Sequence, residues 1–115
     1  MTSQQLTRKP TTPGEVLQHE YLGPLNLKIA DLAEMLNVHR NTISALVNNN
    51  RKLTADMAFR LSRVFDTSIE FWLNLQQNID IWEVQNNVLT QAELSQIKTI
   101  ADVLAKRKSD QQDIA

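Results

Sequence analysis

The stretch KIADLAEMLNVHRNTISALVNNN, from Lys28 to Asn50, decides the fold of this chain. Its first part repeats apolar residues at intervals of three and four, which is the spacing of one buried helix face. That face ends at Asn37, a residue type that tolerates a left-handed backbone and therefore a tight turn. A second helix is predicted to follow, with Ile43 and Leu46 turned inward. Two short helices joined in this way make a helix-turn-helix.

The spacing of three residues indicates how these two helices pack. A small residue at Ala33 lets the helices approach each other, and Asn37, four positions later, permits the turn. Ile43 lies six positions beyond the turn and is predicted to fill the shared core. An ordinary helical hairpin is the alternative, but this spacing favours a helix-turn-helix whose second helix lies in the major groove of DNA.

The outward face of the second helix carries groups that can read bases. Arg40 can form a bidentate pair with O6 and N7 of guanine, and Asn41 can do the same with adenine. Each such pair discriminates by about 1–3 kcal/mol. Ser44 and Ala45 lie about one turn further on, where they are predicted to contact base edges or a thymine methyl group. Without the turn motif, these outward side chains would indicate only a solvated face.

A second set of polar and cationic residues flanks this helix, and its members are predicted to contact phosphates. Such contacts fix the register of a protein on DNA without reading its sequence. For the two lysines of the set, a solvated surface position is an equally good interpretation. The set consists of Lys28, His39, Thr42, Asn48, Arg51 and Lys52.

Composition favours an all-α protein of one small domain with an appended segment. The chain has 115 residues, of which 42% are hydrophobic and 5% aromatic, with only two glycines. A sheet protein would need more turn residues and more β-formers. The charge is uneven, because residues 1–65 carry eight Lys and Arg against five Asp and Glu, and residues 66–115 carry four against eight. A mildly basic half can face phosphates while the acidic half stays solvated.

Local signals divide the chain into four parts. Residues 1–12 are polar and are predicted to be a flexible arm, and residues 13–88 form the helix-turn-helix and dimerisation domain. Residues 89–108 form a C-terminal helix, which Thr90 and Glu93 begin with a capping box. Residues 109–115 are predicted to be a disordered tail. Thr67 or Ser68 caps the long apolar helix that starts near residue 69.

Nothing in the sequence indicates catalysis, and no enzyme activity is predicted. His19 beside Glu20 and the single His39 match no catalytic spacing, and no HExxH, glycine-rich phosphate loop or serine-centred elbow is found. No metal and no cofactor is therefore expected. The absence of cysteine and of any run of about 20 apolar residues predicts a cytoplasmic protein that does not enter membranes.

Three blocks of sequence resemble the Xre-type helix-turn-helix family, and within it the HigA-type antitoxins, also named virulence-associated protein I. They are PGEVL at Pro13–Leu17, VHRNTISALVNNNRKLT at Val38–Thr54 and TSIEFWLNLQQNIDIWE at Thr67–Glu83. The EFWLNLQ part of the third block is the most discriminating, since many phage-type repressors lack it. The chain departs from the pattern at Asn37 and Asn49, where similar members often have Gly, and at Ile69, where they often have Pro.

The resemblance implies a lambda-repressor-like DNA-binding domain of five to six helices. It also implies a homodimer that binds a palindromic operator in its own promoter and neutralises a RelE-like, HigB-like ribonuclease toxin that cleaves mRNA. A stand-alone Xre-type repressor without a toxin is one alternative. A protein-interaction module that has lost DNA binding is another.

The residues themselves also favour a dimer. The segment from Phe71 to Trp82 offers more large apolar surface than one side of a helix can bury in a monomer of this size. A competing interpretation is that Phe71, Trp72 and Leu75 complete the core of the monomer. The predicted interface consists of Phe71, Trp72, Leu75, Ile79 and Trp82.

Overall fold

The computed structural model of the protein describes residues 8–112, and within that range it contains helices and loops but no strand. This confirms the all-α prediction. The first seven residues of the predicted arm and the last three of the predicted tail lie outside the described residues. The α-helices are α1 Pro13–Val16, α2 Ile29–Leu36, α3 Arg40–Val47, α4 Ala55–Phe65, α5 Ile69–Gln85, α6 Val88–Leu94 and α7 Ile100–Gln112, and a π-helical segment Leu17–Leu22 continues α1.

The chain divides into two compact units, one that runs to Glu83 and one that begins at Val84. The first unit holds α1 to α4 and most of α5 around one hydrophobic core. Burial of apolar side chains is the main stabilising contribution to such a domain. The largest side chains that the first unit buries completely are Leu17, Leu32, Ile43, Leu61 and Trp72.

The helical part of the first unit begins at a capping box around Thr12. Its hydroxyl oxygen accepts from the backbone N–H of Glu15 at 3.0 Å, and its own N–H donates to the Glu15 carboxylate at 3.2 Å. Thr12 is buried, with 4% of its surface exposed. Its prediction as part of a flexible arm was therefore wrong, because a capping threonine belongs to the helix that it starts.

Gly14 allows α1 to lie directly against the C-terminal end of α3. A Cβ atom at this position would meet the backbone oxygen of Leu46, and it would lie 2.7 Å from the backbone oxygen of Val47 and 2.8 Å from Oδ1 of Asn49. Real Cβ atoms do not approach other atoms so closely. Glycine is required here by the close approach of two helices and not by an unusual backbone angle.

Two neighbouring hydroxyl groups arrange the start of α5. The Ser68 oxygen accepts from the backbone N–H of Phe71 at 3.0 Å, so Ser68 is the capping residue of the two that the sequence offered. The Thr67 oxygen instead accepts from the indole N–H of Trp72 at 2.7 Å. A buried indole donor needs such a partner, and Thr67 supplies it.

The second unit contains two helices where the sequence predicted one. The Asn87 side chain accepts from the N–H of Thr90 at 2.9 Å, so Asn87, and not Thr90, begins α6. A new capping box then starts α7, because the hydroxyl of Thr99 accepts from the N–H of Asp102 at 3.1 Å. Helix α7 continues to Gln112, so residues 109–112 are helical and not part of a disordered tail.

Candidate nucleic-acid interface

The turn between α2 and α3 is built on a left-handed asparagine. Asn37 has φ of 56° and ψ of 49°, and Val38 donates its N–H to the Ala33 carbonyl at 3.0 Å. Ala33 is 4% exposed and Ile43 is fully buried. These observations confirm the predicted turn at Asn37 and the predicted burial of Ala33 and Ile43.

Arg60 of α4 stabilises the same turn through a contact between distant residues, which the spacing of apolar residues does not predict. Its guanidinium donates to the carbonyl of Leu36 at 2.8 Å and to that of Asn37 at 3.4 Å. Asp56 orients it through a contact of 2.6 Å. The last carbonyls of α2 lack partners inside the helix, and a cation there is favourable because it faces the negative end of the helix dipole.

Helix α3 exposes one face and buries the other. Ile43 and Leu46 are buried, while Arg40, Asn41 and Asn48 are exposed. At 3.6 residues per turn the exposed positions form a continuous stripe. The complete stripe contains Arg40, Asn41, Ser44, Ala45 and Asn48, of which Ser44 and Ala45 are half-buried.

The C-terminal end of α3 is closed by a second left-handed asparagine. Asn49 has φ of 61°, and the N–H of Asn50 donates to the carbonyl of Ala45 at 2.8 Å. A bond of this kind satisfies a carbonyl at the helix end. Asn37 and Asn49 thus take the conformation in which glycine is usual at these positions of similar sequences.

The structure separates the residues that were predicted to contact phosphates. Lys28, His39 and Arg51 are exposed at the ends of α2 and α3, whereas Thr42 is half-buried. Thr42 lies at the edge of a groove of about 200 Å³ that Met57 also lines. Thr42 is therefore set back from the exposed stripe of α3, and only part of its surface faces solvent.

Lys52 is held on α5 by a small polar network, although the sequence pattern predicts a phosphate contact for it. The ammonium group of Lys52 donates to Oδ1 of Asp80 at 3.1 Å. Gln76 donates to the same carboxylate oxygen at 2.9 Å and accepts from the N–H of Leu53 at 2.8 Å. We call Lys52, Leu53, Gln76 and Asp80 the α5 latch. It fixes the loop that follows α3.

The charge of Lys52 is stabilised by this arrangement. The hydrogen bond to Asp80 and the negative charge of that carboxylate raise the pKa of Lys52 above its ordinary value of 10.5, while desolvation acts in the opposite direction. Glu83 adds a further negative charge nearby. Lys52 therefore stays protonated at neutral pH, with its charge directed toward α5.

The residues predicted to form a dimer interface fall into two groups. Trp72 and Ile79 are 0% and 6% exposed in the monomer, so their assignment to an interface was wrong. Trp72 is packed against Phe65 and is approached edge-on by Phe71 with ring centres 5.1 Å apart. Phe71 remains 41% exposed, and Leu75 and Trp82 are half-buried. The interpretation that these residues complete the monomer core therefore holds for Trp72. Phe71, Leu75 and Trp82 keep surface that is accessible in the monomer.

No helix within residues 8–112 is long and apolar enough to cross a bilayer. In the same range, no three His, Cys, Asp or Glu side chains are grouped so that they could hold a metal ion.

Comparison with known proteins identifies the family. The sequence profile of the helix-turn-helix family matches residues 19–72. The uncharacterized HTH-type transcriptional regulator YbaQ of Escherichia coli strain K12 is 61% identical over 111 residues, which is 96% of this chain and 98% of that protein. Antitoxin HigA-1 of Vibrio cholerae is 40% identical over 85 residues, or 74% of this chain and 80% of that protein. The chain belongs to the Xre-type helix-turn-helix family, in its HigA-like branch.

One similar solved structure contains promoter DNA. The Pseudomonas aeruginosa antitoxin HigA with the higBA promoter superposes with a TM-score of 0.71 at 37% identity, over 79% of this chain and 98% of that one. The fold that presents α3 is therefore one that a related protein uses on promoter DNA. This member of the family is a DNA-binding helix-turn-helix regulator.

Proposed function

We propose that the protein is the antitoxin of a type II toxin-antitoxin pair, which represses its own operon as a homodimer and neutralises a ribonuclease toxin. The observation that carries the DNA part is the exposed stripe of α3, with Arg40 and Asn41 in its first turn. The toxin part is supported by the antitoxin relatives, which share sequence with most of this chain. In this proposal residues 13–88 form the DNA-binding and dimerisation domain.

Base reading belongs to the exposed stripe of α3. Arg40 pairs with guanine and Asn41 with adenine, while Ser44 and Ala45 touch base edges or a thymine methyl group. Phosphate contacts come from the groups at either end of α3 and from the start of α2, where backbone and cationic donors are exposed. These groups are His39, Asn48, Arg51 and Lys28, with Thr42 as a marginal contributor.

Dimerisation is assigned to the part of α5 that the monomer leaves accessible. Phe71, Leu75 and Trp82 fall on one side of the helix at intervals of four and seven residues. A two-fold axis beside this side would place two α3 helices about 34 Å apart, one turn of DNA. A symmetric protein then requires a palindromic operator.

The DNA proposal is tested with the double variant Arg40→Ala/Asn41→Ala. In gel retardation at one fixed salt concentration, it should lose the preference for a fragment of its own promoter over a random duplex. Loss of two bidentate pairs at about 1–3 kcal/mol each corresponds to at least about a thirtyfold loss of preference. Its mass in solution should stay that of the wild type.

A matched control removes the same kinds of group elsewhere. Arg63→Ala/Gln77→Ala deletes one exposed guanidinium and one exposed amide from α4 and α5, and it should retard the promoter fragment as the wild type does. Retention of full operator preference by the Arg40 and Asn41 variant would show that α3 does not read the bases.

The toxin proposal needs a separate experiment. The reading frame adjacent to the gene should encode a short basic chain that arrests growth when it is expressed alone, and co-expression of this protein should restore growth. The YbaQ relative is described only as a transcriptional regulator, which favours a stand-alone repressor as the second candidate. If the adjacent chain does not arrest growth, or if growth arrest persists on co-expression, the protein is a stand-alone repressor.

A further inference from the structure

The α5 latch connects the loop after α3 to helix α5, which lies outside the exposed stripe of α3. Lys52 lies five residues after the end of α3, in the same loop as Arg51. Its ammonium group is not directed along the stripe but toward Asp80, at 3.1 Å. Asp80 is itself oriented by Gln76, whose amide donates to the same oxygen at 2.9 Å.

A carboxylate that binds a lysine in this way competes with DNA. A phosphate and a carboxylate both offer anionic oxygens to an ammonium group, so one lysine can neutralise one or the other. Non-specific DNA affinity depends almost entirely on the number of phosphates that are neutralised. Each cation that the protein keeps for itself therefore lowers affinity for random sequence without changing any base contact.

We propose that Asp80 acts as an internal competitor for DNA phosphate, which holds Lys52 on α5 and thereby lowers the sequence-independent part of the protein's affinity for DNA. This inference rests on the proposed DNA-binding function and adds to it a residue that limits how many phosphates each protomer neutralises. Asp80 touches no DNA. Gln76 is a positioning residue, because it fixes both the Asp80 carboxylate and the loop backbone at Leu53.

The strength of the pair sets the expected effect. The side chains of Lys52 and Asp80 are 68% and 43% exposed, so the pair is a surface ion pair of modest strength. If Asp80 were neutral, the Lys52 ammonium group would contact a DNA phosphate instead. Asp80→Asn should tighten binding to random duplex about two- to fivefold per protomer at low salt.

The decisive readout is the salt dependence of binding to a random duplex. One additional phosphate contact per protomer makes the slope of log affinity against log salt steeper by about 0.9, or about 1.8 for a dimer. Affinity for the operator should rise by a similar factor in the same variant, because phosphates are present on every duplex. A residue with only a structural role would weaken binding and would not steepen the slope.

Three further variants separate the effect of Lys52 from that of a general change in net charge. Glu70→Gln removes an exposed carboxylate from the first turn of the same helix, and it should leave the slope unchanged. Adding Lys52→Gln to Asp80→Asn should return the slope to the wild-type value. Lys52→Gln alone should alter the slope little, and this measurement does not depend on how well the Asp80 variant folds.

Several results would overturn the inference. Equal slopes for Asp80→Asn and wild type would show that Lys52 is not released to DNA. A slope that Lys52→Gln alone makes shallower by a full contact would show that Lys52 already lies on phosphate in the wild type. Absence of any DNA binding by the wild type would overturn the proposed function itself, and this inference with it.

Discussion

Gly14→Ala should destabilise the protein, although the change lies in a helix where alanine is normally the better residue. Alanine is favoured over glycine in a helix interior by about 1 kcal/mol. At Gly14 the new methyl group would meet the backbone oxygens of Leu46 and Val47 and the side chain of Asn49. Backbone oxygens cannot rotate away, so α1 or the end of α3 must move.

The magnitude follows from these opposing contributions. Overpacking of a buried site costs about 1–3 kcal/mol, and contact with two backbone atoms at once places Gly14 at the upper end of that range. After subtraction of the helix preference, we expect a loss of about 2 kcal/mol in the free energy of unfolding. At about 4 °C per kcal/mol for a chain of this size, Tm should fall by about 8 °C.

The only other glycine in the chain provides the control. Gly23 is exposed, and a Cβ there would lie 3.1 Å from one atom, the backbone oxygen of Gln18. Gly23→Ala should therefore stay within about 0.5 kcal/mol of the wild type in urea unfolding. If Gly14→Ala instead unfolds at the same urea concentration as the wild type or a higher one, α1 does not press on the end of α3 as described.

Substitutions at two further positions test contacts that fix the helix ends. Arg60→Met should lower the free energy of unfolding in urea by about 1 kcal/mol, because the last carbonyls of α2 lose a charged donor that is only partly screened. Arg60→Lys should recover part of this loss. An Arg60→Met variant as stable as the wild type would contradict the role of the guanidinium. Thr67→Val should cost about 1–3 kcal/mol, because it leaves the buried indole N–H of Trp72 without its acceptor. Thr67→Ser keeps the hydroxyl and should cost less, and equal stability of the valine and serine variants would count against that hydrogen bond.

Most of the DNA-binding part of the fold could be predicted because its signals are local. Asn37 and Asn49 both take the left-handed backbone that their residue type permits, with φ of 56° and 61°. Ser68 lies immediately before the helix that it caps, and the apolar spacing of α2 and α3 gives the buried face directly. Each of these features depends on neighbours within about four residues.

The features that sequence reasoning missed depend on contacts between distant residues. Arg60 caps a helix that ends 24 positions earlier, and Gln76 binds a backbone group 23 positions earlier. Trp72 was placed in an interface because apolar composition does not say which side of α5 meets the core. In the second unit the error was local, because Thr99 and Asp102 form a capping box that was available in the sequence but was read as helix interior.

Helix α5 packs against the core on one side, holds the loop after α3 on another and carries the proposed dimer surface on a third, and this affects how variants in it should be interpreted. Trp72 is buried in the core that also holds Ile43 of α3, and Gln76 and Asp80 hold the loop after α3. The EFWLNLQ block is therefore part of the unit that positions α3, besides carrying part of the proposed dimer surface. A variant in this block that loses DNA binding must be checked for stability, for mass in solution and for salt slope, since each side of α5 would alter a different one of these measurements.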